Sequence, residues 1–429
     1  MAMLEVKNLK VHFKIEEGWV KAVDGVSFII ELGETMGLVG ESGCGKTTAA
    51  YAITQLLPPN GFIKGGHIFF KEPPSVTELR RTYDESLKGS SSDTRKKEIA
   101  RVTKKLDPLR GEQRRLQEEL VKLQQQRERA PESTSSSAAL KRRLDELATE
   151  MSGLEDRLSA LTYSYDLLKI SMRKDGSLDD YNEKIRKIRW TEISMIFQGA
   201  MNAFNPVFKV GDQIVEAIVL HKDVSDDEAR QRARELFEFV GIGPDRIDNY
   251  PHEFSGGMKQ RAMIALALAL NPSFIIADEP TTALDVITQD RILVEIRRLQ
   301  EQLNMAMMII THDVSVVAEV SDSIGVMYAG LMMEVGKATQ VFKNTAHPYT
   351  AGLLGSFPSI KGKKKRLISI PGFPPDLVNP PSGCPFHPRC QYARQACQEE
   401  RPKGVEVEPG HISYCHYAKE LWDELRRRE

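Results

Sequence analysis

Residues 36–47 read MGLVGESGCGKT, a short apolar run followed by a glycine-rich loop. The segment 40–47 fits the phosphate-loop pattern G-x-x-x-x-G-K-[ST], and a helical pattern follows from Lys46 to about Leu57. In this context the glycines let backbone N–H groups surround phosphates, the lysine reaches the β- and γ-phosphates, and the threonine hydroxyl ligates Mg²⁺. The sequence therefore predicts a nucleoside triphosphate site made of Gly40, Glu41, Ser42, Gly43, Cys44, Gly45, Lys46, Thr47 and Thr48.

Composition narrows the possible function classes. The 429 residues are enough for two or three domains, and 59 Lys plus Arg against 60 Asp plus Glu leave no global basic field for a nucleic-acid backbone. The longest apolar run, residues 264–276, is interrupted by Asn271-Pro272 and is too short to cross a bilayer. The N-terminus shows no signal-peptide pattern, so we expect a cytoplasmic protein.

Apolar runs indicate a parallel α/β core. Continuous runs typical of buried strands lie at 193–197, 273–277 and 307–310. An amphipathic helix around 291–303 separates the last two, and alternating apolar residues predict two or three strands at the start of the chain. Ser225 and Glu228 form a capping box for a helix that ends before Gly241.

Residues 73–185 differ from their surroundings, being rich in Lys, Arg, Glu, Gln and Leu. Apolar residues recur at steps of three and four from Ile99 to Leu123 and from Leu140 to Leu168, which predicts two helices with one apolar stripe each. The Pro- and Ser-rich stretch between them cannot continue a helix, so we expect an antiparallel coiled-coil hairpin with its tip near residue 133. Two roles are open for this insertion: a solvated ornament or stability device without chemistry of its own, or a docking arm for a partner or regulator.

An acidic pair follows the apolar run that ends at residue 277. Asp278 can hold the coordination shell of Mg²⁺, and Glu279 can polarise an attacking water. Alone, such a pair is as often a helix cap. Downstream of a phosphate loop it is typical of a Walker B element.

Residues 254–261, FSGGMKQR, place a serine and two glycines at the start of a helix, where N–H groups and the positive end of the helix dipole favour a γ-phosphate. With the motifs above, this segment resembles the signature of the ATP-binding cassette family. The resemblance implies that two cassettes enclose ATP between them. Ser255, Gly256 and Gly257 would then complete the nucleotide site of a partner chain.

Other positions match the family one by one. Gln198 resembles the Q-loop glutamine, which contacts Mg²⁺ or water and adjoins the transmembrane partner, and Asp285 resembles the D-loop aspartate. His312 resembles the switch histidine, which holds the γ-phosphate and orders the catalytic glutamate. Phe13 matches the aromatic residue that stacks on adenine, with Trp19 as the alternative. The resemblance thus implies catalytic roles for Glu279, His312 and Gln198, and Mg²⁺ ligation by Thr47, Gln198 and Asp278.

Four of the five cysteines lie near the C-terminus, at Cys384, Cys390, Cys397 and Cys415. Four thiols in a cytoplasmic domain suggest a metal site, and their spacing does not choose between Zn²⁺ and an iron–sulfur cluster. The stretches HPYT at 347–350 and CPFHPRC at 384–390 resemble the tail of oligopeptide and dipeptide importer ATPases, some of which carry a [4Fe-4S] cluster on four cysteines here. The cluster is therefore the expectation, with zinc or metal-free thiols as alternatives and His387, His411 and His416 as possible substitute ligands.

The resemblance implies an α/β chain in three parts. An ATP-binding cassette nucleotide-binding domain occupies 1–72 and 186–345, with a RecA-like core, a β-subdomain and a helical subdomain. The coiled-coil insertion occupies 73–185, and a small Cys-rich domain occupies 346–429. The implied enzyme is an ATPase coupled to membrane transport, with uptake of di- and oligopeptides as the expected activity and of oligosaccharides or nickel as alternatives.

The implied partners are a second cassette subunit, which we expect to be a paralogue, two transmembrane permeases and an extracellular substrate-binding protein. The chain itself would lie on the cytoplasmic face of the cell membrane. A DNA-repair ATPase with a coiled coil is a second hypothesis, disfavoured because the insertion precedes Gln198 and its tip lacks a Cys-x-x-Cys hook. A metal-sensing regulatory ATPase is a third.

Overall fold

The computed structural model describes residues 2–70, 188–199, 203–280, 286–356 and 370–425, and positions 101, 104, 105, 108 and 143. The chain divides into two units, Met1–Ala2 with Phe69–Ile170, and Met3–Ile68 with Ser171–Glu429. The described positions from 101 to 143 are all helical. The coiled-coil pairing and the hairpin tip lie outside the described residues, so that prediction stays a prediction.

The described strands are β1 (Ala2–Ile15), β2 (Gly18–Glu31), β3 (Thr35–Val39), β4 (Gly61–Phe70), β5 (Ile193–Ile196), β6 (Phe274–Asp278), β7 (Ala306–Ile310), β8 (Ser323–Tyr328), β9 (Leu331–Lys337), β10 (Val405–Glu408) and β11 (His411–Ser413). The described α-helices are α1 (Lys46–Ile53), α2 (Val210–His221), α3 (Asp226–Phe239), α4 (Gly256–Ala267), α5 (Val286–Leu303), α6 (Val314–Val320), α7 (Ala338–Lys343), α8 (Pro348–Gly355), α9 (Gln395–Glu399) and α10 (Ala418–Leu425).

A mixed sheet forms the centre of the second unit, with strand order β10-β11-β9-β8-β3-β7-β6-β5. Strands β5, β6, β7, β3 and β8 pair in parallel, which confirms the predicted parallel core. Every residue of β3, β6 and β7 is buried, as expected for strands covered on both faces. A second sheet has the order β2-β1-β4.

Helices α2 to α6 and the adjoining strands share one hydrophobic core. Apolar side chains of α2, α3 and α4 pack together with residues of β6 and β7. The predicted capping box at the start of α3 is confirmed, because Glu228 N donates to Ser225 Oγ at 3.3 Å and Ser225 N donates to Glu228 Oε2 at 2.9 Å. The helix stops beside Gly241, whose φ of 69° favours glycine.

The strands near the C-terminus continue the central sheet. Strand β9 pairs antiparallel with both β8 and β11, and β10 completes the edge. A buried histidine joins three of these strands, because His411 Nε2 lies 2.7 Å from Glu334 Oε1 and His411 Nδ1 lies 3.2 Å from Glu408 Oε1. Among the described residues, no helix is both long enough and apolar enough to cross a membrane.

Candidate functional site

The candidate site lies where neighbouring parallel strands end. The P-loop begins directly after β3, Gln198 follows β5, the Asp278-Glu279 pair closes β6, and His312 follows β7. Because the carboxyl ends of parallel strands share one edge of the sheet, these segments meet there. The sheet topology therefore explains why four motifs that are distant in sequence form one site.

All three P-loop glycines have positive φ, and at two of them the backbone packs too closely for a side chain. Gly40 and Gly45 have φ of 152° and 103°, and a Cβ at either position would collide with a backbone carbonyl. The buried ammonium of Lys46, which is 6% exposed, donates to the carbonyl oxygens of Gly40 at 2.8 Å and Glu41 at 3.0 Å. The loop thus holds its lysine in place with backbone oxygens. Ser42 and Gly43 lie exposed at the loop surface, Cys44 is buried beneath it, and Thr48 follows in α1.

Thr47 and Asp278 face each other across the strand ends. Thr47 Oγ1 donates to Asp278 Oδ1 at 3.2 Å. The Asp278 side chain is buried, its Oδ2 has no hydrogen-bond partner among the described residues, and burial raises its pKa to about 6. A buried carboxylate oxygen without a partner needs a ligand, and oxygen donors of this kind suit Mg²⁺. These two residues therefore fit the ion that the fold implies.

Glu279 is held between two side chains that the sequence singled out. Gln198 Nε2 donates to Glu279 Oε2 at 2.7 Å, and His312 Nδ1 lies 3.1 Å from Glu279 Oε1. The φ of Glu279 is 47°, in the left-handed region that residues other than glycine rarely adopt. Its backbone N–H donates to the carbonyl of Ile310 at 2.7 Å. Residues in such rare backbone conformations cluster at functional sites, where the conformation fixes the direction of a side chain. The structure thus brings Gln198, Glu279 and His312 together.

The serine and glycines of residues 254–261 begin a helix, as predicted. Ser255 is the N-cap of α4, its Oγ accepts from Met258 N at 3.4 Å, and Gly256 and Gly257 form the first turn. Asp285 lies outside the described residues. Ser255 is exposed, so this helix start presents its N–H groups to the surface.

The two aromatic candidates for adenine have different surroundings. Phe13 is half-buried in β1 and its ring packs close to Gly61. Trp19 is 37% exposed in β2, with its ring edge-on to Phe62 at 5.6 Å between centroids. Lys64 Nζ lies 3.8 Å from the Trp19 ring centroid, so one face of that ring is already covered.

One pocket of the C-terminal region contains the four C-terminal cysteines. Cys384, Cys390, Cys397 and Cys415 all line it, and all have free thiols. Burial raises the pKa of Cys384 to about 11 and that of Cys415 to about 12, and the neighbouring thiols add to both shifts. Sharing of one metal site by these thiols stays a prediction.

The metal at that pocket stays a prediction. Among the described residues, no group of three or more His, Cys, Asp and Glu side chains is arranged to hold a metal ion. His387 and His416 line the pocket, but each bonds a backbone carbonyl, of Cys384 at 2.9 Å and of Glu400 at 2.9 Å. His411 does not line the pocket; it lies in strand β11 and contacts the carboxylates of Glu334 and Glu408.

Sequence reasoning missed two residues that reach the P-loop. Glu41 N donates to the hydroxyl of Tyr349 at 3.0 Å, and the guanidinium of Arg389 donates to both carboxylate oxygens of Glu41, at 2.7 and 3.0 Å. Tyr349 and Arg389 lie in the stretches 347–350 and 384–390, which resemble the tail of the importer ATPases but gave no sign of a contact with the P-loop. Only the fold brings them to the nucleotide loop.

A P-loop, an acidic pair at the end of an adjacent parallel strand and a glycine-rich helix start together define a cassette-type ATPase. Residues 23–165 and 167–282 match the family described as ABC transporter, and residues 333–397 match the oligopeptide/dipeptide transporter C-terminal region. The chain belongs to the ABC transporter ATPases, in the oligopeptide/dipeptide importer family. As a member, it is an ATP-hydrolysing enzyme of the translocase type.

Curated relatives match along nearly the whole chain. The "Oligopeptide transport ATP-binding protein OppD" of Haemophilus influenzae is 34% identical over 98% of this chain and 99% of its own length. The protein of the same description from Bacillus subtilis is 35% identical over 97% of this chain and 88% of its own. The "Dipeptide transport ATP-binding protein DppD" of Lactococcus lactis is 36% identical over 96% and 89%.

Proposed function

We propose that this chain is the ATP-hydrolysing subunit of an importer of di- and oligopeptides and works at the cytoplasmic face of the cell membrane. The observation that carries the proposal is the carboxylate of Glu279, held between Gln198 and His312 at the strand end beside the P-loop. The cargo class is supported by the curated relatives, whose descriptions name oligopeptide and dipeptide transport. Oligosaccharides and nickel are the alternative cargoes.

Each residue of the site has a role that follows from its chemistry. Backbone N–H groups of residues 40–48 and the ammonium of Lys46 bind the phosphates. Thr47, Asp278 and Gln198 are the proposed ligands of Mg²⁺, which when bound neutralises charge on the phosphate oxygens. Glu279 accepts the proton of the attacking water. His312 orients Glu279 and contacts the γ-phosphate, and Phe13 stacks on adenine.

A second cassette completes the proposed catalytic unit. Ser255 is exposed as the N-cap of α4, and half-buried Gly256 and Gly257 form its first turn, where N–H groups can face the γ-phosphate of ATP bound to the partner. Asp285 is proposed to lie in the contact between the two cassettes. The second cassette is proposed to be a paralogue, and the pair to act on two permeases that receive cargo from an extracellular binding protein.

The four cysteines are proposed to hold a [4Fe-4S] cluster. Four free thiols line one pocket, and a cluster takes one thiolate on each of four irons, so the thiols need not converge on a single point. A single zinc ion would require such convergence, which makes it the less favoured alternative. A bound cluster would supply redox-active iron and would keep the thiols deprotonated.

The domain boundaries are also proposed as the sequence predicts them. The nucleotide-binding domain takes 1–72 and 186–345, and the Cys-rich domain takes 346–429. Residues 73–185 are proposed as a coiled-coil arm, either an ornament or a docking site for a partner.

The test is uptake of a labelled tripeptide by native cells that carry only the Glu279→Gln chain. We expect peptide uptake to be lost while nickel and oligosaccharide uptake stay at wild-type rates. Glu301→Gln, a change of the same chemistry on the exposed face of α5, is the matched control and should leave all three rates unchanged. Loss of nickel or oligosaccharide uptake instead of peptide uptake would identify a different cargo, and unchanged uptake of all three would refute the importer assignment.

A further inference from the structure

Glu41, the second residue of the P-loop, is held from three directions. Its N–H donates to the hydroxyl of Tyr349 at 3.0 Å, and its carbonyl accepts from Lys46 Nζ at 3.0 Å. Its carboxylate accepts from Arg389 Nη1 at 2.7 Å and Nη2 at 3.0 Å. Tyr349 and Arg389 lie 308 and 348 positions farther along the chain. A residue of the nucleotide loop is therefore anchored by the C-terminal part of the protein.

The guanidinium of Arg389 is fixed by further contacts of its own. Its side chain is 6% exposed, its Nε donates to the carbonyl of Pro371 at 2.7 Å, and its Nη1 donates to the hydroxyl of Tyr328 at 3.2 Å. Charge-assisted, bidentate pairs of this kind are about twice as strong as neutral hydrogen bonds, and burial of the arginine shields the pair from water. Arg389 is thus a fixed anchor rather than a mobile surface charge.

The segment that carries Arg389 also forms the four-cysteine pocket. Cys390 follows Arg389 directly, and Phe386 precedes it by one turn of 3-10 helix. The Phe386 ring packs against Tyr328 and Tyr349, with centroids 5.4 and 5.2 Å apart. The same short segment therefore contains Arg389, contacts Tyr349, and contributes Cys384, Phe386 and Cys390 to the lining of the thiol pocket.

An unpaired carboxylate would harm this loop. The P-loop binds a triphosphate, and a free negative charge at its second residue would repel the ligand. Movement of Glu41 would also shift the carbonyl oxygen that accepts from Lys46. The ion pair with Arg389 removes both effects.

We propose that Arg389 is a positioning residue of the nucleotide site: it neutralises Glu41, fixes the P-loop, and makes nucleotide affinity depend on the folded segment 383–390. The proposal rests on the nucleotide site proposed above. It assigns to the C-terminal region a role in nucleotide binding, in addition to any metal that the cysteines hold.

The first test measures binding of mant-ATP to the full-length chain by fluorescence. Arg389→Ala should weaken binding about tenfold, the equivalent of one charge-assisted pair. Arg389→Lys, which keeps the charge and the fold, should recover part of that loss. Adding Glu41→Gln to Arg389→Ala should bring affinity back to within about threefold of wild type, because the repelling charge is gone.

The matched control is Arg394→Ala, which breaks an exposed ion pair with Glu420 in the same region. It should bind mant-ATP as the wild type does. Equal affinities of Arg389→Ala and Arg394→Ala would overturn the proposal, as would a double variant that binds no better than Arg389→Ala. If the wild type itself failed to bind mant-ATP, the nucleotide site would be refuted rather than the role of Arg389 alone.

A second readout follows from reciprocity, since a segment that affects nucleotide affinity must itself be stabilised by the nucleotide. Mant-ATP should slow amide hydrogen exchange in peptides spanning 383–390 of the wild type and of Arg394→Ala. The effect should disappear in Arg389→Ala. Nucleotide protection that persists without Arg389 would contradict the proposed connection.

Discussion

Replacing Glu279 by Gln tests the centre of the catalytic account. The carboxylate accepts one hydrogen bond from Gln198 at 2.7 Å and lies 3.1 Å from the ring nitrogen of His312. An amide of the same shape keeps one good acceptor and loses about 1 kcal/mol from the other contact, so the fold should survive. The amide cannot take a proton from water, and loss of a general base slows a reaction by about 10²–10⁴-fold, or roughly 3–5 kcal/mol in barrier height.

The assay is phosphate release by the purified transporter complex at saturating ATP, with mant-ATP binding measured on the same sample. We expect turnover to fall at least a hundredfold while nucleotide affinity stays within about twofold, because the P-loop contacts are untouched. Glu301→Gln on α5 should leave both values unchanged. Turnover of Glu279→Gln within tenfold of the wild type would refute the assignment of this carboxylate as the base.

Three further predictions concern other parts of the chain. Burial of His411 lowers its pKa, but hydrogen bonds to neighbouring carboxylates outweigh burial, so the pKa is raised overall. The pairing of His411 with Glu334 should therefore stabilise the fold fully below pH about 6.5, and progressively less as the pH rises through the raised pKa. His411→Ala should lower the free energy of unfolding in denaturant by about 3 kcal/mol at pH 6 and flatten that pH dependence; an unchanged unfolding midpoint would contradict the pairing. Gly257→Asp should place a negative charge where the partner's γ-phosphate binds, reducing turnover of the complex at least a hundredfold while mant-ATP binding to the isolated chain stays within about twofold, and normal turnover would show that α4 faces no nucleotide. Cys397→Ser should reduce iron and acid-labile sulfide in anaerobically purified protein, whereas Cys44→Ser, outside the pocket, should not; equal metal content in both variants would exclude Cys397 as a ligand.

The parts of the site that sequence could predict are those set by local pattern. A P-loop and an acidic pair each follow a continuous apolar run, and such runs identify buried parallel strands whose carboxyl ends meet. The shared location of Lys46, Asp278 and Glu279 therefore follows from local sequence pattern alone. The family pattern added Gln198 and His312, which the structure places against Glu279.

The connection from Glu41 to Arg389 could not be predicted in the same way. No local period relates residues 348 positions apart, and an arginine between proline and cysteine gives no sign of its partner. The short strands β10 and β11 escaped prediction because four and three residues carry too little alternation to be recognised. Their pairing with β9 depends on tertiary contacts such as His411 with Glu334.

The central claim is that this ATPase drives a membrane importer. The most direct measurement is anaerobic purification of the tagged full-length chain from native membranes, with mass spectrometry of every protein that accompanies it. The account predicts two polytopic permeases and a second cassette subunit in stoichiometric amounts. Recovery of the chain without membrane proteins, or together with a nuclease or DNA, would contradict it.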